Sequence, residues 1–185
     1  DIHSCVTPTI VMIASPLVEQ QLEIYETGVD LVISSLRRNL QFADIKTGNL
    51  IRQVLATREA RAAGAYEAIL LTPEGMLSDG ITSNIYAVRG NRLLTPSNDA
   101  GIVEGITRGV ILDLAREMGL GVEEGLFPAD IINDASEMFL TSTTREIVPV
   151  RSVDGRPVGA GKPGPVTKQL HRAYRMALER LIEED

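Results

Sequence analysis

The sequence is poor in cysteine, aromatic residues and lysine, and the first two shortages exclude whole classes of protein. Cys5 is the one cysteine, so no disulfide framework can form, and we expect a reducing compartment, the cytoplasm. His3 lies near Cys5 without a metal-ligand spacing, so we predict no metal site. Aromatic residues make up 4% of the chain and the net charge is −7, which argues against nucleic-acid binding. No apolar run is long enough to span a membrane.

The shortage of lysine draws attention to Lys46. Lys162 and Lys168 are the only others among eighteen Lys and Arg residues, so arginine carries most of the positive charge. Unlike arginine, a buried lysine can lose its proton and attack a carbonyl to form a Schiff base. The alternative is a lysine whose stem lies on apolar surface near a helix start, and position alone favours that alternative.

The 185 residues, 44% of them hydrophobic, suffice for one good core. Residues 6–14 predict a strand, buried from Thr9 to Ala14, although nothing before it offers a partner. Residues 17–27 suit a connecting segment. Apolar residues at helical spacing after Lys46 predict a helix that ends at Gly64, with an apolar face formed by Leu50, Ile51, Val54, Leu55 and Ala62.

Short strands and three further helical stretches fill the rest of the chain. The closely spaced strands between 68 and 95 predict an antiparallel meander or a barrel-like sheet. Strands are predicted at 27–34, 68–71, 84–88, 92–95, from 122, at 137–141 and at 147–150. Helices are predicted from the run 105–108 to Gly119, briefly after Pro128, and from Val166 to the acidic end.

Three polar stretches accompany Lys46. The run 78–84, Ser-Asp-Gly-Ile-Thr-Ser-Asn, places a carboxylate, hydroxyls and an amide at a strand entry, although a plain polar turn would look the same. Gly105 to Arg108 opens a helix, where free N–H groups and the Thr107 hydroxyl suit a phosphate, unless Thr107 is only a helix cap. The run 141–145 has four hydroxyls, which suit a phosphate or a carboxylate or are solvated turn residues.

Together these stretches supply the parts of a pyridoxal phosphate site: a lysine for the aldehyde, an acid for the ring nitrogen and donors for the phosphate. From Asp44 onward the chain resembles the large domain of the fold-type IV pyridoxal-phosphate enzymes. These include D-amino-acid and branched-chain aminotransferases and aminodeoxychorismate lyase. The resemblance rests on the motifs DIKTGNL (44–50), YEAILL (66–71), LSDGITSNIYAV (77–88), EGITR (104–108), TSTTREIVPV (141–150) and GKPGPVT (161–167).

The resemblance implies an α+β fold, with a meander or pseudo-barrel flanked by helices, and a role for each matching residue. Lys46 is similar to the lysine that holds the cofactor and moves the proton, and Asp79 to the acid at the ring nitrogen. Thr144 matches a residue of the loop that touches the substrate carboxylate. The remaining cofactor-binding matches are Thr82, Ser83, Asn84, Val103, Ile106, Thr107, Ser142 and Thr143.

Two departures from the family pattern stand out. Asp79 occupies a position where the family usually has glutamate, so its shorter arm reaches less far. A small N-terminal domain that family members carry is largely absent: residues 1–20 resemble its last strand and connector, and residues 21–185 the cofactor domain. The resemblance also implies a homodimer with its sites at subunit and domain boundaries.

We therefore predict an aminotransferase that moves an amino group between an amino acid and a 2-keto acid. The Thr82-Ser83-Asn84 and 141–147 runs are most similar to D-amino-acid aminotransferases. The alternatives within the family are a branched-chain L-amino-acid aminotransferase and aminodeoxychorismate lyase. A rival of another class is a protein that binds pyridoxal phosphate, or another phosphate ligand, without turnover.

Overall fold

The computed structural model describes residues 6–7, 9–17, 20–42 and 48–184, and Lys46 lies outside these ranges. The helices are α1 (Glu23–Thr27), α2 (Ile51–Ala62), α3 (Ile106–Glu117), α4 (Ile131–Asp134) and α5 (Pro165–Glu184). The strands are β1 (Val29–Arg37), β2 (Glu67–Leu71), β3 (Leu77–Gly80), β4 (Asn84–Arg89), β5 (Arg92–Pro96), β6 (Gly121–Gly125), β7 (Glu137–Ser142), β8 (Glu146–Val153) and β9 (Arg156–Pro157). None of these helices is long and apolar enough to cross a membrane.

The strands form one mixed sheet rather than the antiparallel meander that their spacing suggested. Its order is β3-β2-β1-β8-β7-β4-β5-β6, and β9 pairs with β8. Strand β1 runs parallel to both β2 and β8, and β5 runs parallel to β6, whereas the other neighbours are antiparallel. The hairpins β2–β3 and β4–β5 exist, but β1, β8 and β7 separate them. The α+β prediction with flanking helices is confirmed.

Apolar clusters form the core on the two sides of this sheet. One cluster contains Leu31, Ile69 and Leu140 and is covered by residues of α1 and α4. The other places Tyr86 and Phe139, stacked with ring centroids 4.6 Å apart, beneath α3 and α5. Because both faces are covered, all five residues of β2 are buried, as are the first five residues of β4 and of β7.

Helix α2 forms where the sequence predicts it, but its apolar face does not pack inward. Leu50, Ile51, Val54 and Leu55 are all exposed, and the buried residues are Ala56 and Ala60. Small side chains let the helix lie close to the sheet, where the Glu59 carboxylate accepts hydrogen bonds from the Ser34 and Ser35 hydroxyls. The predicted helix and its terminal Gly64, with φ of 68°, are confirmed.

The predicted strand at 6–14 does not form. Residues 6–7 and 9–17 belong to no helix or strand, and Met12 and Ile13 are 91% and 89% exposed. A strand needs a neighbour to satisfy its backbone N–H and C=O groups, and no described strand pairs with this segment.

Candidate active site

Nine of the ten predicted cofactor-binding residues, all except Lys46, line one cavity of about 610 Å³. Its wall is built from β3 and the turn that follows it, the segment before α3, the start of α2 and the end of β7. It includes Asp79, Thr82, Ser83, Asn84, Val103, Ile106, Thr107, Ser142 and Thr143. Thr144 is exposed and lies outside that wall. The structure thus gathers nine predicted residues in one place, while the role of each remains a prediction.

Asp79 is the buried acid of this cavity. Its side chain is 6% exposed, and Arg38 Nη1 lies 3.5 Å from Oδ1. The Val103 N–H donates to Oδ2 over 3.3 Å, and the Ser78 hydroxyl donates to Oδ1 over 3.3 Å. Burial raises the pKa of Asp79 to about 6, although the Arg38 charge and these hydrogen bonds oppose the rise.

These contacts leave Asp79 suited to a cationic partner. All are at or beyond 3.3 Å, whereas strong charge-assisted hydrogen bonds to a carboxylate are nearer 2.8 Å. A carboxylate that is buried and loosely bonded gains from any donor that approaches through the cavity. A protonated ring nitrogen is such a donor.

The start of α3 forms an anion cradle at another part of the wall. Gly105 is the N-cap, and no side chain caps the helix, so the alternative that Thr107 is a plain cap is wrong. Thr107 is nevertheless 5% exposed and lines the cavity. Unpaired backbone N–H groups, the helix dipole and this hydroxyl together favour a phosphate.

Hydrogen bonds tie this cradle to the acid. The Asn84 amide donates to the Val103 carbonyl over 2.8 Å, while the N–H of Val103 donates to Asp79. Gly105 lies so close to Asn84 that a Cβ there would overlap the Asn84 Oδ1. Asp79 within β3 and Asn84 at the start of β4 therefore hold the segment that leads into α3.

An ion pair that the sequence did not reveal contacts the lining residues Thr82, Ser83 and Ser142. Arg145 Nη1 donates to Glu67 Oε2 over 2.7 Å, with the two side chains 15% and 4% exposed. These residues lie 78 positions apart, and each stood inside a recognised motif without an assigned role. Glu67 begins β2, a strand of otherwise apolar residues, and a charge at such a position was the available signal.

Arg38 is a second residue of the cavity that the sequence did not identify as a site residue. In the structure it lines the cavity and donates through Nε to the Gly101 carbonyl. Its partner Asp79 lies 41 positions away, so spacing in the sequence could not pair them.

Comparisons with known proteins identify the family of the chain. A model of the family described as Amino-transferase class IV matches residues 2–153. D-alanine aminotransferase of Bacillus licheniformis is 36% identical over 172 residues, covering 93% of this chain and 60% of that protein. The branched-chain-amino-acid aminotransferase of Escherichia coli K12 is 38% identical over 156 residues, covering 82% of this chain and 50% of that protein.

Solved structures show the same likeness. The PLP (holo) form of the branched-chain amino acid aminotransferase from Thermobaculum terrenum superposes with a TM-score of 0.81. It is 35% identical, with 86% of this chain and 53% of that chain covered. The chain belongs to the class IV aminotransferase family. It spans between half and 60% of the length of the curated relatives named above.

Proposed function

We propose that the protein is a pyridoxal-phosphate-dependent aminotransferase that moves an amino group between an amino acid and a 2-keto acid. The observation that carries the proposal is the shared cavity. A buried acid, Asp79, and an unused helix N-terminus with Thr107 line the same space. The acid suits a cationic pyridinium ring and the helix N-terminus suits an anionic phosphate, and one cofactor carries both groups.

The residues of the cavity fit that cofactor. A volume of about 610 Å³ lies within the range of small-molecule pockets, roughly 300–1,000 Å³. We propose that Thr107, the Ile106 N–H and the hydroxyls of Ser142 and Thr143 hold the phosphate. Asp79 is proposed to hold the ring nitrogen, with Val103 beside the ring and Thr82, Ser83 and Asn84 forming the neighbouring polar wall.

Pyridoxal phosphate, when bound, supplies an electron sink for the electrons that remain when a proton leaves the substrate α-carbon. We propose that Lys46 holds the cofactor and carries that proton as general base and acid. Asp79 keeps a proton on the ring nitrogen because its negative charge stabilises the cation. Thr144 is proposed to contact the substrate carboxylate from the loop beyond β7.

The favoured donor is a D-amino acid, on the strength of the 82–84 and 141–147 runs. A branched-chain L-amino-acid aminotransferase and aminodeoxychorismate lyase are the alternatives, and the matching relatives include D-alanine and branched-chain enzymes at similar identity. Product analysis separates the three. The products would be a 2-keto acid from D-donors, a 2-keto acid from L-donors, or pyruvate from aminodeoxychorismate.

We also propose the organisation of the whole protein. Residues 1–20 belong with a small N-terminal domain and residues 21–185 form the cofactor domain. A homodimer is proposed, supported by the exposed apolar row Leu50, Ile51, Val54 and Leu55 on α2. Cys5, as the single cysteine, supports a reducing, cytoplasmic location. Light scattering during gel filtration tests the dimer.

An absorption spectrum tests the proposed chemistry. Protein mixed with pyridoxal phosphate should show a band near the edge of the visible range, and an added amino acid should remove it. A band that stays unchanged when D- or L-amino acids are added would instead support a binding protein without turnover. Lys46→Ala is the control, because the band should then be that of free cofactor.

A further inference from the structure

Arg145 makes contacts on two pocket loops at once. Its Nη1 donates to Glu67 Oε2 over 2.7 Å, and its Nη2 donates to the Thr82 hydroxyl over 2.7 Å and to the Thr82 carbonyl over 3.2 Å. Its Nε donates to the Ser142 hydroxyl over 2.9 Å. The guanidinium also lies over the ring of Tyr66, 5.7 Å from the centroid. Every polar edge of the side chain is therefore engaged.

Glu67 completes the contact from the other side. Its Oε1 accepts the Thr82 N–H over 2.7 Å and the Ser83 hydroxyl over 2.9 Å. Gly80 leaves space for this arrangement, since a Cβ there would lie 2.6 Å from Glu67 Oε1. The turn after β3 is thus held by a buried carboxylate, and that carboxylate is held by Arg145.

The direction of each hydrogen bond follows from the chemistry of the pair. A guanidinium only donates, so the Ser142 oxygen must accept from it, and the Ser142 hydrogen is left for another acceptor. An ionised carboxylate only accepts, so Ser83 must donate to Glu67 and keeps its lone pairs for a donor. Ser142 and Ser83 both line the cavity. The pair therefore leaves the Ser142 hydroxyl as a donor and the Ser83 hydroxyl as an acceptor towards the cavity.

We propose that Arg145 and Glu67 are positioning residues that hold the 80–84 turn and the 142–145 loop together and orient the pocket hydroxyls for the cofactor. The part concerning the cofactor rests on the proposed function. The pair is mostly buried, so its bonds are little weakened by solvent. Loss of either partner leaves the other charge buried and uncompensated.

The first test follows the two loops in the cofactor-free protein. Hydrogen exchange should show lower protection of the Thr82 N–H and of the 142–145 amides in Arg145→Met. Arg151→Met is the matched control, because Arg151 pairs with Asp30 at the exposed side of the same sheet, over 2.6 Å. Unchanged protection of both loops in Arg145→Met would overturn the proposal.

The second test is a double-mutant cycle on pyridoxal phosphate affinity, measured by absorption titration. Arg145→Met and Ser142→Ala should each weaken binding about tenfold. The double variant should be little weaker than either single one, because Arg145 acts through Ser142. Arg145→Lys should rescue part of the loss, and Arg151→Met should bind like the parent protein.

The outcomes separate the two proposals. Additive effects of the two substitutions, or unchanged affinity in Arg145→Met despite exposed loop amides, would overturn the role of the pair while leaving the cofactor site intact. A parent protein that binds no pyridoxal phosphate would overturn the proposed function, and with it the role of the pair towards the cofactor. The hydrogen-exchange result would then still decide whether the pair joins the loops.

Discussion

Arg38 Nη1 lies 3.5 Å from Oδ1 of Asp79, so the acid of the cavity is held beside a cation in its own wall. Burial alone penalises the ionised carboxylate, and Arg38 offsets part of that penalty. The arrangement keeps a charged acid where a ring nitrogen would need one. It also makes the protonation of Asp79 measurable, because its pKa of about 6 lies above the ordinary value of 3.8.

The free energy of unfolding of the cofactor-free protein should therefore fall as pH rises from 4 to 7, because Asp79 loses its proton. Below pH 3.8 both folded and unfolded states hold this proton; between 3.8 and 6 only the folded state does, so rising pH favours unfolding. Asp79→Asn has no such proton to lose. As pH rises across that range, its free energy of unfolding should therefore increase relative to that of the parent by about 3 kcal/mol. Urea unfolding at several pH values measures the difference, and a difference independent of pH would contradict the shifted pKa.

Arg38→Gln should move the same fall in stability to higher pH. Removal of the guanidinium takes away the charge that favours ionised Asp79, so the pKa of Asp79 rises further. The same urea series tests this, with Arg89→Gln as control because its ion pair with Asp134 is exposed. If the pH profile of Arg38→Gln coincides with that of the parent, the two side chains are not coupled.

Thr107→Val should weaken pyridoxal phosphate binding by about 1.5–3 kcal/mol, the size of a hydrogen bond to a charged group. Thr107 is buried at the cavity wall and does not cap its helix. Titration of the absorption band measures the affinity. Thr27→Val is the control, since the Thr27 hydroxyl bonds to the Glu23 carbonyl within α1. Equal affinity of parent and Thr107→Val would remove this residue from the phosphate site.

Gly80→Ala and Gly109→Ala should have opposite effects on stability. A Cβ at Gly80 would lie 2.6 Å from Glu67 Oε1 and closer still to the Ser83 hydroxyl, so a buried hydrogen bond must break. Gly109 lies within α3 with no atom within 4 Å of its added Cβ. There, alanine should stabilise the helix by about 0.5–1 kcal/mol. Thermal unfolding measures both, and a Gly80→Ala protein as stable as the parent would contradict the close packing around Glu67.

Asp79 also tests the proposed chemistry. Asp79→Asn should keep cofactor binding, because the phosphate cradle is untouched, but slow the spectral change caused by an amino acid. Asp79→Glu should keep or speed that change if the shorter arm limits reach to the ring nitrogen. Stopped-flow absorption measures the rates. A rate in Asp79→Asn equal to the parent would show that Asp79 does not serve the ring, and loss of binding in Asp79→Glu would show a pocket shaped for aspartate.

Much of the local structure was predictable, because local chemistry determines it. Gly119 ends α3 with φ of 76°, and Asp154 and Gly155 both have positive φ in the β8–β9 turn, as their sequence signals predict. Motif resemblance predicted nine site residues that the structure places around one cavity, although no single motif was specific.

Non-local relationships were not predictable. The insertion of β1, β8 and β7 between the two hairpins depends on strands far apart in sequence. Glu67 pairs with Arg145 and Asp79 pairs with Arg38, and both partners are distant in sequence. No local spacing of residues therefore indicates either ion pair. The apolar residues of α2 had helical spacing, but spacing cannot tell whether a face packs on its own sheet or remains exposed.

The account depends most directly on Lys46. Protein incubated with pyridoxal phosphate, reduced with borohydride, digested and mapped by mass spectrometry should carry the cofactor on Lys46. Lys46 is far in sequence from Lys162 and Lys168, so its peptide is easily distinguished from theirs. A cofactor label on Lys162 or Lys168, or no label at any lysine, would contradict the proposed site.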